Sequence, residues 1–287
     1  MNDTRYYEVA GHRFGVSAEE EVFALMQNYE PFVSASGIVP AITVETVAPA
    51  FTIDSLRASL IEELRQEDEG QEIICAKTAD GHSVFEFRWW GETAGWLVCP
   101  EDYHEARLMM TGRYRKMAID NALMVWYALS TADKGTALFH AAVVSHEGRG
   151  YMFLGPSGTG KSTHARLWLQ YIAGTQLVND DNPVVRDGVV YGSPWSGKTA
   201  CYRNVSYPLG GIVMLSQAPY NRMERLRGLP AYAALVASIS GKRWDARIAE
   251  GLHQTENALA QTIPVWHLEC LPDEAAAKLC HENLHRC

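Results

Sequence analysis

The chain has 287 residues, 47% hydrophobic and 21% charged, which suits one large or two modest globular domains and argues against disorder. Its formal net charge is −9, with the acidic excess inside residues 1–134 and a slight basic excess beyond them, a poor match to non-specific nucleic-acid binding. No apolar run approaches the roughly 18–20 residues of a membrane span, the opening MNDTRYYEVAG is unlike a signal peptide, and the 6 cysteines, with no C-x-x-C pair, read as reduced thiols of a cytoplasmic protein.

In chain order, SAEEEVFALMQNYE (17–30) opens with Ser17 as a candidate N-cap and acidic residues in the first turn, which predicts a short helix. Residues 53–65 read as a second helix. RQEDEGQE (65–72) reads as a solvated acidic loop. From Glu72, EIICAKT, SVFEFRWW and AGWLVC are separated by turns at Ala-Asp-Gly and Gly-Glu, the pattern of a β-meander. Adjacent Trp89 and Trp90 should face opposite ways, one of them into the core. In 114–130, Ala118, Ala122, Val125 and Leu129 recur at helical spacing and predict a buried helix.

Next comes a hairpin, ALFHAAVVS and YMFLG, whose second strand runs into a glycine-rich segment followed by a helix, THARLWLQYI. TQLVNDD, PVVRDG and VVYG read as short strands, and the apolar GGIVMLS as a strand buried on both faces. Helices are expected near 230–239 and 244–261, then a strand, IPVWHLEC, and a helix opened by Pro272 and Asp273. These elements divide into a β-rich region, 1–134, and a core, 135–287.

The segment Gly155-Pro156-Ser157-Gly158-Thr159-Gly160-Lys161-Ser162 satisfies G-x-x-x-x-G-K-[ST] in full. Its glycines let successive N–H groups point at phosphate oxygens, and the following helix, with Thr163 in its first turn, adds a positive dipole end. Lys161 should reach the β- and γ-phosphates, and the Ser162 hydroxyl should ligate Mg²⁺. Asp180 and Asp181 close an apolar strand, LVNDD, one helix and one strand after the loop. A carboxylate that holds Mg²⁺ and another that accepts a hydroxyl proton are what phosphoryl transfer needs. The alternative for the same residues is an Asx turn in Asp-Asp-Asn-Pro.

His140 on the hairpin strand, the loop 155–162 and the pair Asp180–Asp181 together resemble the catalytic core of bacterial HPr kinase/phosphorylase, a family that shares its nucleotide-binding fold with phosphoenolpyruvate carboxykinase. The resemblance covers residues 135–218. It implies an α/β fold (α+β as the variant), with a carboxykinase-like P-loop core on a mixed sheet, to which this chain adds the β-rich N-terminal layer. It also implies ATP and Mg²⁺ as cofactors, Asp180 as general base, Asp181 on the metal side, and His140 beside the phosphates. The chain departs from the family in residues 1–134, in SPWSGKTACYRN where a glutamate-arginine segment belongs, and in lacking the C-terminal HPr-docking region. The expected acceptor is therefore a hydroxyl of a peptide, small protein or small molecule, rather than HPr specifically.

Two other functions fit the same motif: a carboxykinase-like lyase, and a nucleotide-binding regulatory protein with little turnover. A homo-oligomer is compatible with each. GSPWSGK (192–198) offers Trp195 and Lys198, with Arg203 beyond, as acceptor-binding candidates, or else is a plain connecting turn. His281 and His285 share a helical face, but the C-terminal histidines and cysteines match no zinc spacing, so this run reads as a terminal amphipathic helix.

Overall fold

The computed structural model describes residues 2–35, 39–47, 59–197 and 199–285. The chain divides between Ser130 and Thr131 into two compact units; the boundary expected from sequence lay after Lys134. Both units are mixed α/β, each built on its own mixed sheet. Among the described residues, no helix is long and apolar enough to cross a membrane.

The first unit holds β1 (Asp3–Val9), β2 (His12–Ala18), α1 (Glu20–Phe23), β3 (Ala41–Thr46), β4 (Ile61–Asp68), β5 (Gln71–Lys77), β6 (Ser83–Trp89), β7 (Glu92–Cys99), β8 (Glu105–Met110) and α2 (Arg115–Thr131). Its sheet has the order β1-β2-β3-β8-β7-β6-β5-β4, with parallel pairing only at β2–β3 and β3–β8. Trp126 on α2 donates its indole N–H to the Tyr103 carbonyl at 2.8 Å, and Tyr127 its hydroxyl to the Val9 carbonyl at 2.9 Å. Phe14 meets both rings edge-on. The buried helix expected at 114–130 is α2.

Four expectations are corrected here. The helix over 17–30 shrinks to the single turn α1 and a 3-10 turn at Gln27–Phe32, because Ser17 pairs with Thr4 in the β1–β2 hairpin and cannot cap a helix. Of the helix over 53–65, residues 53–58 lie outside the described residues, and Ile61 onward is strand β4. The acidic run 65–72 is not a loop but the edge hairpin β4–β5, in which Arg65 bridges Glu62 and Glu72 at 2.9 and 2.8 Å. Charge on an exposed edge strand discourages pairing with a second chain. Neither adjacent tryptophan enters the core: Trp90 sits in the β6–β7 turn, exposed, its ring lying over Gly70.

The hairpins share one device. Ala10-Gly11, Glu69-Gly70, Trp90-Gly91, Glu147-Gly148 and Asp187-Gly188 each place two consecutive residues at positive φ. That is the type I′ geometry whose twist matches the flanking strands.

The second unit contains β9 (Thr136–Leu138), β10 (Ala141–His146), β11 (Arg149–Leu154), α3 (Lys161–Tyr171), β12 (Gln176–Asn179), β13 (Val184–Arg186), β14 (Val189–Tyr191), β15 (Ser206–Gln217), β16 (Arg222–Leu226), α4 (Leu229–Val236), α5 (Ala246–Thr262), β17 (Val265–Cys270) and α6 (Glu274–His285). β11, β15 and β17 run parallel. β10 is antiparallel to both β11 and β12, so β12 points the same way as β11. The carboxyl ends of β11, β12, β15 and β17 therefore share one edge of the sheet. β15 is longer than the expected GGIVMLS: its first residues pair with β14 and the remainder with β11 and β17.

Helices α3 and α6 cover a core of Val144, Tyr151, Phe153, Trp168, Val213, Leu215, Leu268 and Leu284. His164 of α3 is part of this packing. Its ring stands edge-on to Phe153 at 4.7 Å, and its Nε2 accepts from the Trp168 indole N–H at 3.2 Å. Burial lowers its pKa from 6.5 to about 4. The folded protein keeps the ring neutral where the unfolded chain takes up a proton, so this group removes stability as pH falls from 6.5 toward 4. The loss amounts to roughly 3 kcal/mol at the acid end. Denaturant melts across that window should show a shallower pH dependence for His164→Gln than for the wild type; parallel profiles would refute the assignment.

Candidate active site

The glycine-rich loop leaves the end of β11 and enters α3 with no intervening residue to spare. Gly155, Gly158 and Gly160 hold φ of 149°, 77° and 107°, values a side-chain-bearing residue rarely adopts. At Gly155 a Cβ would also meet Thr159 at 3.1 Å and the Leu215 carbonyl at 3.3 Å. Gly160 caps the helix, and the His164 N–H closes its first turn on the Gly160 carbonyl at 2.8 Å. Thr159 donates its hydroxyl to the Pro156 carbonyl, and Gln217, at the end of β15, donates to the Gly158 carbonyl at 3.2 Å. Lys161 is buried, and its ammonium donates to the carbonyls of Gly155 and Pro156 at 2.9 and 3.2 Å. Its charge is thereby held inside the curl of the loop. Ser157, Ser162 and Thr163 stand on the loop and on the first turn of α3.

Asp180 and Asp181 follow β12 at the same edge. The Asp181 carbonyl accepts from the Ala141 N–H at 2.8 Å, which brings His140 alongside. His140 lies in the break between β9 and β10, not on a strand as expected from sequence. Its own N–H is drawn to the Ser238 carbonyl at 2.8 Å, interrupting the ladder. His140 Nε2 is 3.4 Å from Asp181 Oδ1. Burial raises the pKa of Asp181, and Asp180 raises it further, while His140 and Lys161 pull it down. His140, Lys161 and both aspartates thus share one electrostatic neighbourhood.

The side chain that organises this corner is Asn179, fully buried at the end of β12. Its Oδ1 accepts from the Asp181 N–H at 2.9 Å, and its Nδ2 donates to Ser193 Oγ and the Trp195 carbonyl, both at 3.1 Å. Ser193 in turn donates to the Asn182 carbonyl at 2.6 Å, and Asn182 donates to Asp181 Oδ2 at 2.8 Å. The segment 192–197 is thereby fastened over the aspartates. Gly197 lies so close that a Cβ there would be 3.1 Å from Asp181 Cβ and 3.2 Å from the Asp180 carbonyl. Just beyond, the Thr199 N–H donates to Asp180 Oδ2 at 3.2 Å.

No protein-family model matches the chain, and no curated protein matches it.

The acceptor-side candidates separate. Trp195 is buried, and its backbone carbonyl is the group that engages the network. Lys198 lies outside the described residues. Arg203 is not brought to the aspartates: its guanidinium donates to the Leu177 carbonyl at 2.6 Å and to Gln176 at 3.0 Å, toward the start of β12. On the other side of the loop, a cleft of about 610 Å³ opens between the ends of β15 and β17, walled by Thr159, Thr163, Leu167, Leu215, Pro219, Leu271 and Pro272. A mostly apolar cleft at the carboxyl ends of parallel strands is where open α/β sheets bind ligands.

Asn179, Ser193, Gly197 and Gln217 were not expected from sequence. The available signal was a polar Asn ending an apolar strand directly before the acid pair. Truncating Asn179 leaves buried donors and acceptors unpaired, so Asn179→Ala should cost about 1–3 kcal/mol in a denaturant melt. A loss below about 0.5 kcal/mol, the range of neutral surface changes, would show that the network does not bind the corner together.

Proposed function

We propose that this protein is an ATP- and Mg²⁺-dependent phosphotransferase of the HPr kinase type, with a carboxykinase-like P-loop core, acting in the cytoplasm on a hydroxyl of a peptide, small protein or small molecule. One observation carries the reading: the phosphate loop, His140 and the Asp180–Asp181 pair meet at a single edge of one sheet, although they come from three separate strand ends. The cleft beside the loop has the volume and apolar walls for a nucleoside.

The division of labour follows from what each group touches. Loop N–H groups and the start of α3 bind the phosphates, and Lys161 exchanges its two loop carbonyls for phosphate oxygens. Asp181, on the side of Lys161 and His140, faces the phosphates; His140 holds its Oδ1. Asp180, oriented by the Thr199 N–H, accepts the proton of the incoming hydroxyl. The Ser162 hydroxyl and the Asp181 carboxylate are hard oxygen donors of the kind that would hold Mg²⁺. A cation there would also offset the desolvation and repulsion that raise the Asp181 pKa. When bound, Mg²⁺ neutralises charge on the phosphoryl oxygens. Arg203, tied to β12, is not available to hold a dicarboxylic acid, which favours transfer to a hydroxyl over the lyase.

Asp180→Asn should lower transfer by roughly 10²–10⁴-fold while nucleotide binding changes little; Lys161→Ala should weaken both. The assay is labelled ATP and Mg²⁺ with a cell lysate or metabolite pool, followed by identification of the labelled product. Near-normal turnover in Asp180→Asn would remove the base assignment. Tight ATP binding with no transfer to any acceptor would favour the regulatory alternative.

A further inference from the structure

The end of β10 remote from the candidate active site carries a second chemical cluster. His146 ends β10, Glu147 sits in the turn that follows, and His281 and His285 lie one helical turn apart on α6. One nitrogen from each of the three imidazoles can be chosen so that all lie within 4.8 Å of one another. His146 Nε2 and His281 Nε2 are 3.2 Å apart. Two nitrogens bound tetrahedrally at 2.0–2.1 Å from zinc would sit about 3.3 Å apart. The Glu147 carboxylate spans the open side, with its oxygens 3.8 Å from His146 Nε2 and 3.9 Å from His285 Nε2.

The hydrogen bonding prepares these atoms as ligands. A carbonyl can only accept, so His285 Nδ1 donates to the His281 carbonyl at 2.8 Å. That bond leaves the lone pair of the neutral ring on Nε2, as an outer-sphere carbonyl does for metal-bound histidine. The Tyr151 hydroxyl, 3.2 Å from the same Nε2, must rotate away when a metal binds. His146 is buried; among the described residues its Nδ1 has no hydrogen-bond partner, and its Nε2 lies against another imidazole and the nearby carboxylate. A buried imidazole so placed does little as a structural hydrogen-bonding group.

We propose that His146, His281, His285 and Glu147 form a binding site for a divalent d-block ion of the Zn²⁺ class that staples the C-terminal helix to the β10–β11 hairpin. Imidazole and carboxylate donors in this number suit Zn²⁺ and Co²⁺. The site lies across the sheet from the phosphate loop and does not depend on phosphoryl transfer. Sequence spacing missed it because His146 is remote from the two helical histidines along the chain.

The test uses untagged, full-length protein, stripped with chelator and titrated with Zn²⁺ by calorimetry and with Co²⁺ by visible absorption. The wild type should take up one tight equivalent, give the intense bands of four-coordinate Co²⁺, and melt at a higher temperature with Zn²⁺ than without. His281→Gln and His285→Gln should each weaken binding at least tenfold and abolish the thermal shift; circular dichroism checks their folds. The partly exposed His285 covers the case in which His281→Gln does not fold. Asp181→Asn should keep the equivalent, which separates this site from the nucleotide-linked cation. The proposal is overturned if no stoichiometric binding is seen, if both histidine variants bind as the wild type does, or if Asp181→Asn abolishes binding.

Discussion

The candidate active site depends on the buried side chain of Asn179. One amide holds the Asp181 backbone with its oxygen and the segment 193–195 with its nitrogen. Without it, the aspartates would sit at the frayed end of a short edge strand, and the Ser-Pro-Trp-Ser-Gly segment would have no reason to close over them. A buried amide with its hydrogen bonds made is costly to displace, because each freed partner would lie unpaired in a low-dielectric interior. The geometry of both carboxylates is thus set by a residue that takes no part in the proposed chemistry.

Strand direction supplies the second constraint. Two antiparallel steps, β11 to β10 and β10 to β12, return the chain to its original sense, so the acid pair leaves the sheet where the phosphate loop does. The parallel neighbours β15 and β17 end at the same edge and leave the apolar cleft between their exits. The opposite end of β10 is tied to α6 through the histidine cluster. One strand therefore runs from the candidate active-site edge to that cluster.

Electrostatics within the corner are uneven for a physical reason. Asp181 is pushed up by burial and by its neighbour Asp180, and drawn down by His140 and Lys161. Asp180 instead orients on a backbone N–H from the covering segment. Adjacent residues of one type thus acquire different surroundings because successive side chains at a strand exit project to different sides.

The sequence by itself determined the strand, glycine-rich loop and helix around residues 155–160, whose glycines answer a local backbone requirement, and the acid pair that ends an apolar strand. It also determined the buried helix at Arg115–Thr131 and the apolar strand within β15, since both are periodic patterns that packing reinforces. It misled wherever a distant partner overrode a local signal. Ser17 looks like a cap but is claimed by the ladder with β1; the charged run from Arg65 looks like a loop but is an edge strand whose charges face outward; Trp90 is apolar but caught in a turn. Only the tertiary structure decided that His140 stands beside Asp181, that Arg203 turns away along β12, that Asn179 and Gly197 shape the corner, and that His146 joins His281 and His285. Those contacts link residues far apart in the chain, and no local pattern of side chains encodes which strand ends the sheet will bring together.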